Sequence, residues 1–567
     1  MELSDAIRKW TLKNAADYKL AIPAKIIGKV IGEVPSAKED MKGTMAKINE
    51  EAKRVNALPI EQVEGELGAY SFEEKKEEKR EIELEGALAG KVVTRFAPEP
   101  SGYPHIGHAK AAFLEYVPVQ KYGGKMLLRF DDTNPEKEKV EFVQAIKDGL
   151  LWLGISWQEE TYTSDRMEEF YAYAQELMVK NCAYVCTCDA QEIKKNRMGM
   201  HECDCRVRDG QENLLLWKKM MGGNVAAGGA IVRFRGDMHA QNTVLRDPTL
   251  FRIIEGAHYR QGEKYRVWPS YDFAAPIMDS LEGVTHAMRS KEYELRDELY
   301  FLILKKLELR APRLVGFSRL AIKGAPVSKR LITPLIQEGK VSGYDDPRLP
   351  TLVALKRRGM QPQAIQEFVL SFGLSKVESE PGWEKLLNEN KKIIDPKSMR
   401  RYFVKNPVKL NVMGAIESIR KEARIKNHPI KDMGERVVQV QGNFYIAGAD
   451  AATLQPDETF RLKDLYNVKV AKVGEEIIGA HAGEEMIVGK KMQWVDAQSA
   501  IKCEVLVAGD LFVGEKYNEK SLSVDSGLCE SACAQLEIGD IVQFERYGFV
   551  RLDKKEEGKL VFVFVSG

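Results

Sequence analysis

The chain has 567 residues, too many for one hydrophobic core, so roughly three to five domains are expected. Its composition, 44% hydrophobic and 30% charged, excludes a disordered or fibrous chain. A net charge of +1 excludes a global basic field, so a nucleic-acid partner would have to be met by local basic patches.

The opening MELSDAIRKW has no apolar signal core, and no run is long enough to span a bilayer. Eight cysteines in a chain of this size do not make a disulfide framework, so a protein of the reducing cytoplasm is expected. Residues 1–85 read as a small helical domain and a charged linker. Ile7, Trp10, Leu12, Ile26, Ile27, Val30 and Ile31 recur at helical spacing, punctuated by Pro23, Gly32 and Pro35, and Glu73 to Glu83 is a run of mixed charge.

The clearest local signal lies in residues 86–185. Val92 to Gln120 passes from a β-branched strand through a Pro/Gly-rich turn into an amphipathic helix that opens near Gly107. A second strand, Lys125 to Asp131, follows the Gly123-Gly124 stop. This is how a parallel α/β unit begins, and ligands sit beyond the strand ends of such units. His105 and His108, at i and i+3, share one face of the first helical turn, where free N–H groups and the helix dipole favour an anion. Gly102 and Gly107 allow close approach of backbone to a ligand. The pair reads as a nucleotide-phosphate seat, with a helix cap or core histidines as the alternative. Downstream, Met167, Phe170, Tyr171, Ala174 and Leu177 predict a helix that Ser164 or Asp165 can cap.

Residues 186–268 interrupt the pattern. Five of the eight cysteines fall between Cys182 and Cys205, with Cys186-x-Cys188 and Cys203-x-Cys205 as close pairs and His201 adjacent. Two thiol pairs suit a tetrahedral, structural Zn2+ site, although C-x-C is tighter than the usual C-x2-C; inert thiols are the alternative. The α/β pattern resumes at Tyr271, with a strand at Val284 to Met288 and a helix at Tyr293 to Leu307. Residues 346–400 are helical, including Gln363 to Leu374. Lys391 to Lys409 then holds seven basic residues against one Asp, with Tyr402 and Phe403 among them. From about Leu410, short alternating runs with Gly/Asp turns predict antiparallel barrels.

Five stretches carry a resemblance: RFAPEPSGYPHIGHAKAA from Arg95, LRFDDTNP (Leu128 to Pro135), Trp268 to Asp297, PVSKRL (Pro326 to Leu331) and GYDDPRLPTL (Gly343 to Leu352). Together, and in this order, they resemble the glutamyl/glutaminyl branch of class I aminoacyl-tRNA synthetases, of the archaeal/eukaryotic type. The resemblance implies a multidomain α/β plus all-β protein. It places a Rossmann-like catalytic domain in two halves, residues 86–185 and 269–345. Between them, 186–268 is the inserted domain that contacts the tRNA acceptor end. A helical connection spans 346–400, and β-barrel anticodon-binding domains span 401–567.

The implied reaction is two-step. An amino-acid carboxylate attacks the α-phosphate of ATP, Mg2+ being held chiefly by the phosphates, and the terminal ribose of tRNA then takes the acyl group. His105, His108 and Lys329 are the expected catalytic residues, as donors to phosphate oxygens. Pro104, Gly107, Ser328 and Arg330 complete the ATP seat. Ser328-Lys329-Arg330 matches only the core of the family's KMSKS motif, because Ala325-Pro326-Val327 replaces its first half. For the amino acid, Asp131 is expected to receive the ammonium, while Arg95 and Tyr271 bind its polar groups. Arg289 stands where glutaminyl enzymes of the branch carry a small neutral residue, and a guanidinium offers charge-assisted bonds to a γ-carboxylate that an amide cannot match. Glutamate and tRNA-Glu are therefore the expected substrates, with tRNA-Gln an open addition, a glutaminyl enzyme the nearest rival, and a catalytically inactive RNA-binding relative the next. A surface salt bridge from Arg289 to Glu292 or Glu294 is the structural alternative. Arg348, Arg400, Arg401, Lys405 and Lys409, with Tyr402 and Phe403 for base stacking, are expected to face tRNA. Cys186, Cys188, Cys203 and Cys205 are the zinc candidates, and a monomer is expected.

Overall fold

The computed structural model describes residues 2–18, 20–72, 81–414 and 422–567. Most of the charged run Glu73 to Glu83 lies outside the described residues. The chain divides into two compact units, Met1–Lys79 and Arg80–Gly567. The first contains α-helices Leu3–Tyr18, Pro23–Glu33, Met41–Asn56 and Ile60–Leu67. Ile7, Leu12, Ile26, Val30, Ile48 and Val55 form its core, and Pro23 starts the second helix at a position whose N–H would have no intrahelical acceptor anyway.

In the second unit, Val93–Phe96, Lys125–Phe130 and Glu159–Tyr162 form a parallel sheet in that order. His286–Ser290 and Arg313–Phe317 pair in parallel. Thr285 joins the two sets: its N–H donates to the Val93 carbonyl (2.9 Å), and its hydroxyl accepts from the Val93 N–H (2.9 Å). Strand succession therefore runs one way from Val93–Phe96 in the first half and the other way in the second. That reversal opens a crevice at the carboxyl ends, where ligands of open α/β sheets bind. The Gly123-Gly124 stop has two separate causes. Gly123 takes the left-handed conformation (φ 67°) that ends helix Ile106–Tyr122, while a Cβ on Gly124 would lie 2.1 Å from the Val92 carbonyl oxygen.

Two elements differ from the sequence reading. Tyr293 to Leu307 is not one helix: Lys291–Arg296 is a 3-10 turn and Asp297–Lys306 the α-helix. The tighter turn packs the Tyr293 ring on Tyr271, with centroids 4.7 Å apart, so a tertiary contact overrides the helical pattern. Ser164 and Asp165 lie in another 3-10 turn and do not cap helix Met167–Val179, because the Ser164 hydroxyl and N–H are spent on Asp132.

A four-stranded antiparallel sheet, Ala183–Cys186, Ile231–Phe234, Thr249–Ile253 and Val267–Pro269, covers the segment expected to be inserted and reaches past its bounds of 186 and 268 at both ends. Helices Leu352–Arg357, Pro362–Leu370 and Trp383–Ile394 share one core with the nucleotide fold, where Leu352, Phe368 and Leu386 pack with Phe113 and Ile146.

The C-terminal part holds two seven-stranded sheets over separate cores. The expectation of purely antiparallel pairing needs correction. Four pairs are parallel: Arg400–Arg401 with Ile541–Phe544, Pro407–Met413 with Ile477–His481, Thr459–Leu462 with Lys491–Met492, and Ile501–Ala508 with Lys559–Ser566. Curling a sheet into a barrel brings strands distant in sequence side by side, in whichever direction they arrive. In one sheet, Arg400–Arg401 and Phe403–Lys405 are the two edge strands; since they belong to one run of chain, that run joins the edges.

The same run corrects part of the expected tRNA surface. Arg400 is buried and donates to the Asp395 carboxylate (2.6 Å) and the Ser398 carbonyl (2.9 Å). Arg401 is buried on Asn427 (2.8 Å) beside Glu530. The Tyr402 hydroxyl bonds Asp464, and Phe403 stacks on Phe544 within a barrel core. None of these four side chains is presented for base stacking or phosphate contact. Lys405 and Lys409 reach the surface, where they pair with Asp525 (2.7 Å) and Glu476 (3.2 Å).

Candidate active site

A cleft of about 480 Å3 opens at the switch point and is lined by Arg95, His105, His108, Asp131, Tyr271, Arg289, Ser328 and Lys329. Eight residues chosen from separated stretches of sequence thus meet in one place. A second cleft, of about 670 Å3, shares Asp131, Tyr271 and Tyr293 with the first and runs toward the inserted segment. Pro104 is buried behind the wall and Arg330 is exposed outside it, while Gly107 lines a neighbouring cleft.

The imidazoles cap their own helix. His105 Nδ1 accepts from the Gly107 N–H (3.1 Å), and His108 Nδ1 accepts from the His105 N–H (3.2 Å). Burial holds both below the usual imidazole range, His108 at about 4, so both are neutral at pH 7. A neutral ring that accepts at Nδ1 carries its proton on Nε2, so each is a donor on its other side. The helix-cap alternative is thus what the two rings show, each with an Nε2–H on its other side. Gly107 is required here, since a Cβ would meet the His105 ring at 2.9 Å and the Leu320 carbonyl at 3.2 Å.

The GYDDPRLPTL stretch explains itself in three dimensions. The Ile106 N–H donates to the Pro350 carbonyl (2.9 Å), the Leu352 N–H to the Pro104 carbonyl (2.8 Å), and Tyr344 stacks on Tyr103 at 4.4 Å. It braces the histidine turn. Arg348, expected to face tRNA, is buried instead: Nε and Nη2 hold Asp346 (2.8 Å each), Nη2 also the Lys340 carbonyl, and Nη1 the Ser521 hydroxyl.

Lys329 opens helix Lys329–Gln337 with Ser328 as its N-cap and no acidic residue in the first turn. Two cations, Lys329 and Arg330, at the positive end of a helix dipole oppose the usual preference, and such local conflict marks places built for an anion. Burial and the neighbouring Lys139 and Lys137 hold the Lys329 amine below its ordinary range.

At the opposite wall, Asp131 has one oxygen on Arg129 Nε (2.9 Å) and the Thr163 hydroxyl (3.0 Å). Arg129 is wholly buried between Asp131, Asp279 and Glu282. Arg95 departs from the expectation that it reads substrate: Nε and Nη2 grip Asp279 (2.8 and 3.3 Å), and Nη1 holds Glu115 and the Met288 carbonyl. A buried guanidinium needs its counter-charges, and these come from the protein. Burial would raise the Asp279 carboxyl, but Arg95 and Arg129 outweigh it and hold it at about 2; Glu115 is pushed up by burial to about 8.

Arg289 is different. It is 5% exposed, lines the cleft, and makes one ion pair, from Nη1 to Asp297 (2.8 Å). Its Nε is buried with no partner. The guanidinium lies 5.0–5.7 Å from the ring centres of Tyr271, Tyr293 and Tyr300. The alternative pairing is excluded in detail, because Glu292 holds Arg319 (2.6 Å) and Glu294 holds Lys376 (2.7 Å). Arg319 itself lines the cleft near the histidines and was missed. It follows closely on the carboxyl end of strand Arg313–Phe317, whose run RLVGF is a local strand signal.

Cys186, Cys188, Cys203 and Cys205 place all four sulfurs within 4.8 Å of one another, with 3.9 Å between Cys186 and Cys203 and between Cys188 and Cys205. Four thiolates about 2.3 Å from a tetrahedral metal would be about 3.8 Å apart, so the donor set fits zinc. Cys182 lies apart on the Lys180 carbonyl, and all eight cysteines are free thiols.

The imidazole-capped helix of the first half-fold and the lysine loop of the second thus face one crevice. Residues 91–396 match the family described as tRNA synthetases class I (E and Q), catalytic domain, and residues 398–483 and 491–553 match its two anticodon-binding domains; the chain belongs to this family. It is similar to a glutamate–tRNA ligase of Nitrosopumilus maritimus, 45% identical over 98% of both chains, and to one of Cenarchaeum symbiosum, 42% identical over the full length of both. A glutamate–tRNA ligase of Korarchaeum cryptofilum is 37% identical over 98% of each chain. Among the described residues, no helix is long and apolar enough to cross a membrane.

Proposed function

We propose that this chain ligates L-glutamate to tRNA-Glu at the expense of ATP, through a glutamyl-adenylate. The observation that carries the choice of amino acid is Arg289, a buried guanidinium that lines the cleft and has one carboxylate bond, from Nη1 to Asp297. A γ-carboxylate in the cleft adds a second charge-assisted partner beside Asp297, which an amide oxygen matches less well. The ammonium is received by Asp131, whose orientation Arg129 and Thr163 fix. The α-carboxylate is then directed at the α-phosphate. It has no proton to lose, so no general base is needed. The imidazole Nε2–H groups and the Lys329 ammonium stabilise the charge that builds on phosphate oxygens, with Mg2+ carried by the phosphates. Pyrophosphate leaves, and the 2′-OH of the terminal tRNA ribose takes the glutamyl group from AMP. The larger cleft, which shares Asp131 and Tyr271, is the approach for that acceptor end.

Glutamate-dependent ATP–pyrophosphate exchange, measured with tRNA present, tests the reading. Glutamate should support exchange at least 100-fold better than glutamine; efficient use of glutamine with rejection of glutamate would overturn it. Charging purified tRNA-Glu and tRNA-Gln in parallel decides whether the second tRNA is also a substrate. The protein acts as a cytoplasmic monomer in this reading.

The four-cysteine cluster holds one structural zinc. The metal supplies a cross-link between the loops that carry the two cysteine pairs, and no step of the ligation passes through it. Metal analysis of the dialysed protein should find one zinc per chain, and chelation should lower the melting temperature. A metal-free protein with an intact fold and unchanged melting would end this assignment.

A further inference from the structure

Beside the amino-acid site, at the wall of the larger cleft, lies a buried polar network to which the ligation as derived above gives no chemical role. It holds the loop from Asp131 to Glu138. Asp132 is fully buried. One of its oxygens accepts the Ser164 N–H (2.8 Å), and the other accepts the Ser164 hydroxyl (2.9 Å) and the Tyr259 hydroxyl (2.9 Å). At the far end, Glu138 accepts the Asn134 N–H (2.8 Å) from its own loop and meets His258 Nε2 at 3.3 Å. The Nδ1 of His258 accepts from the backbone N–H groups of Arg260 (3.2 Å) and Gln261 (3.1 Å). With Nδ1 so occupied, the proton of the neutral ring is on Nε2, directed at Glu138.

His258 and Tyr259 belong to the inserted segment. The loop they hold begins with Asp131, the carboxylate offered to the substrate ammonium. Burying two carboxylates is unfavourable unless partners are supplied, and here partners come from another part of the fold. Such an arrangement contributes little net stability compared with apolar packing; what it specifies is relative position. A binding carboxylate must be held to within about 0.5 Å, which its neighbours have to ensure.

We propose that His258 and Tyr259 are positioning residues through which the inserted segment sets the Asp131 loop in its glutamate-binding geometry. Glutamate affinity then depends on two side chains that do not touch glutamate. This rests on the reading of the cleft as a glutamate site.

The test is tRNA-dependent exchange with Tyr259→Phe, which removes a single hydroxyl. Tyr265→Phe is the control: it deletes another bond from the inserted segment, to Glu168 (2.9 Å), away from the loop. Tyr259→Phe should raise the KM for glutamate roughly 10-fold, the scale on which small misplacements act, while leaving the KM for ATP and the melting temperature near wild type. His258→Gln, which keeps an N–H toward Glu138, should be less impaired than His258→Phe. Tyr265→Phe should not change the glutamate KM. A wild-type glutamate KM in Tyr259→Phe, or equal rises for glutamate and ATP, would overturn the proposal; should the His258 variants not fold, Tyr259→Phe decides alone. If the wild-type protein itself fails to activate glutamate, it is the glutamate reading that falls.

Discussion

Replacing Lys329 with Ala should slow glutamyl-adenylate formation by about 10²- to 10³-fold, the usual consequence of removing one preorganised donor to a developing oxyanion. In pre-steady-state measurements with saturating tRNA, the loss should appear in the chemical step. The reason lies in where the amine sits. It opens a helix, on the positive end of the dipole, in a cleft it shares with the two imidazoles. Nothing acidic in the first turn neutralises it, and it rests over the Phe142 ring at 5.1 Å. Removing it takes away a charge that matters most when phosphate oxygens gain charge. Binding of tRNA, measured separately, should stay within about twofold of wild type, because the barrels and the inserted segment are untouched. Lys329→Arg should recover only part of the rate, since a planar fork does not replace a compact ammonium. Unchanged adenylate formation in the Ala variant would remove this lysine from the mechanism.

Arg289→Met should lower kcat/KM for glutamate by about 10²- to 10³-fold and narrow the preference over glutamine to within about tenfold. Bonds to a charged partner contribute roughly 1.5–3 kcal/mol each, and the variant loses those made to the γ-carboxylate. The unbranched Met stem keeps the space between Tyr271, Tyr293 and Tyr300 filled. Asp297, the partner left behind, has a side chain 37% exposed, so water can solvate it and unfolding should not obscure the result. A glutamate kcat/KM within about threefold of wild type would place substrate selection elsewhere in the cleft.

Much of the residue set that lines the cleft was legible from local motifs. His105 and His108 stand out by residue type and spacing, whereas Asp131, Tyr271, Arg289 and Lys329 are picked out only by the family resemblance; all six line one cleft. The alternation of barrel strands and the thiol set were legible too, since periodicity and spacing are local properties. Which charges are already spent could be seen only in three dimensions. Arg95 grips Asp279, Arg348 grips Asp346, and Arg400 is turned inward onto Asp395, while Arg289 lines the cleft with a single carboxylate bond, from Nη1 to Asp297. In the sequence these four guanidiniums look alike. A buried cation needs a counter-charge, and whether that charge comes from the protein or from the substrate depends on contacts between residues far apart in the chain. The parallel strand pairs of the barrels and the grip of His258 and Tyr259 on the loop of Asp131 are decided in the same way, by neighbours that no local pattern encodes.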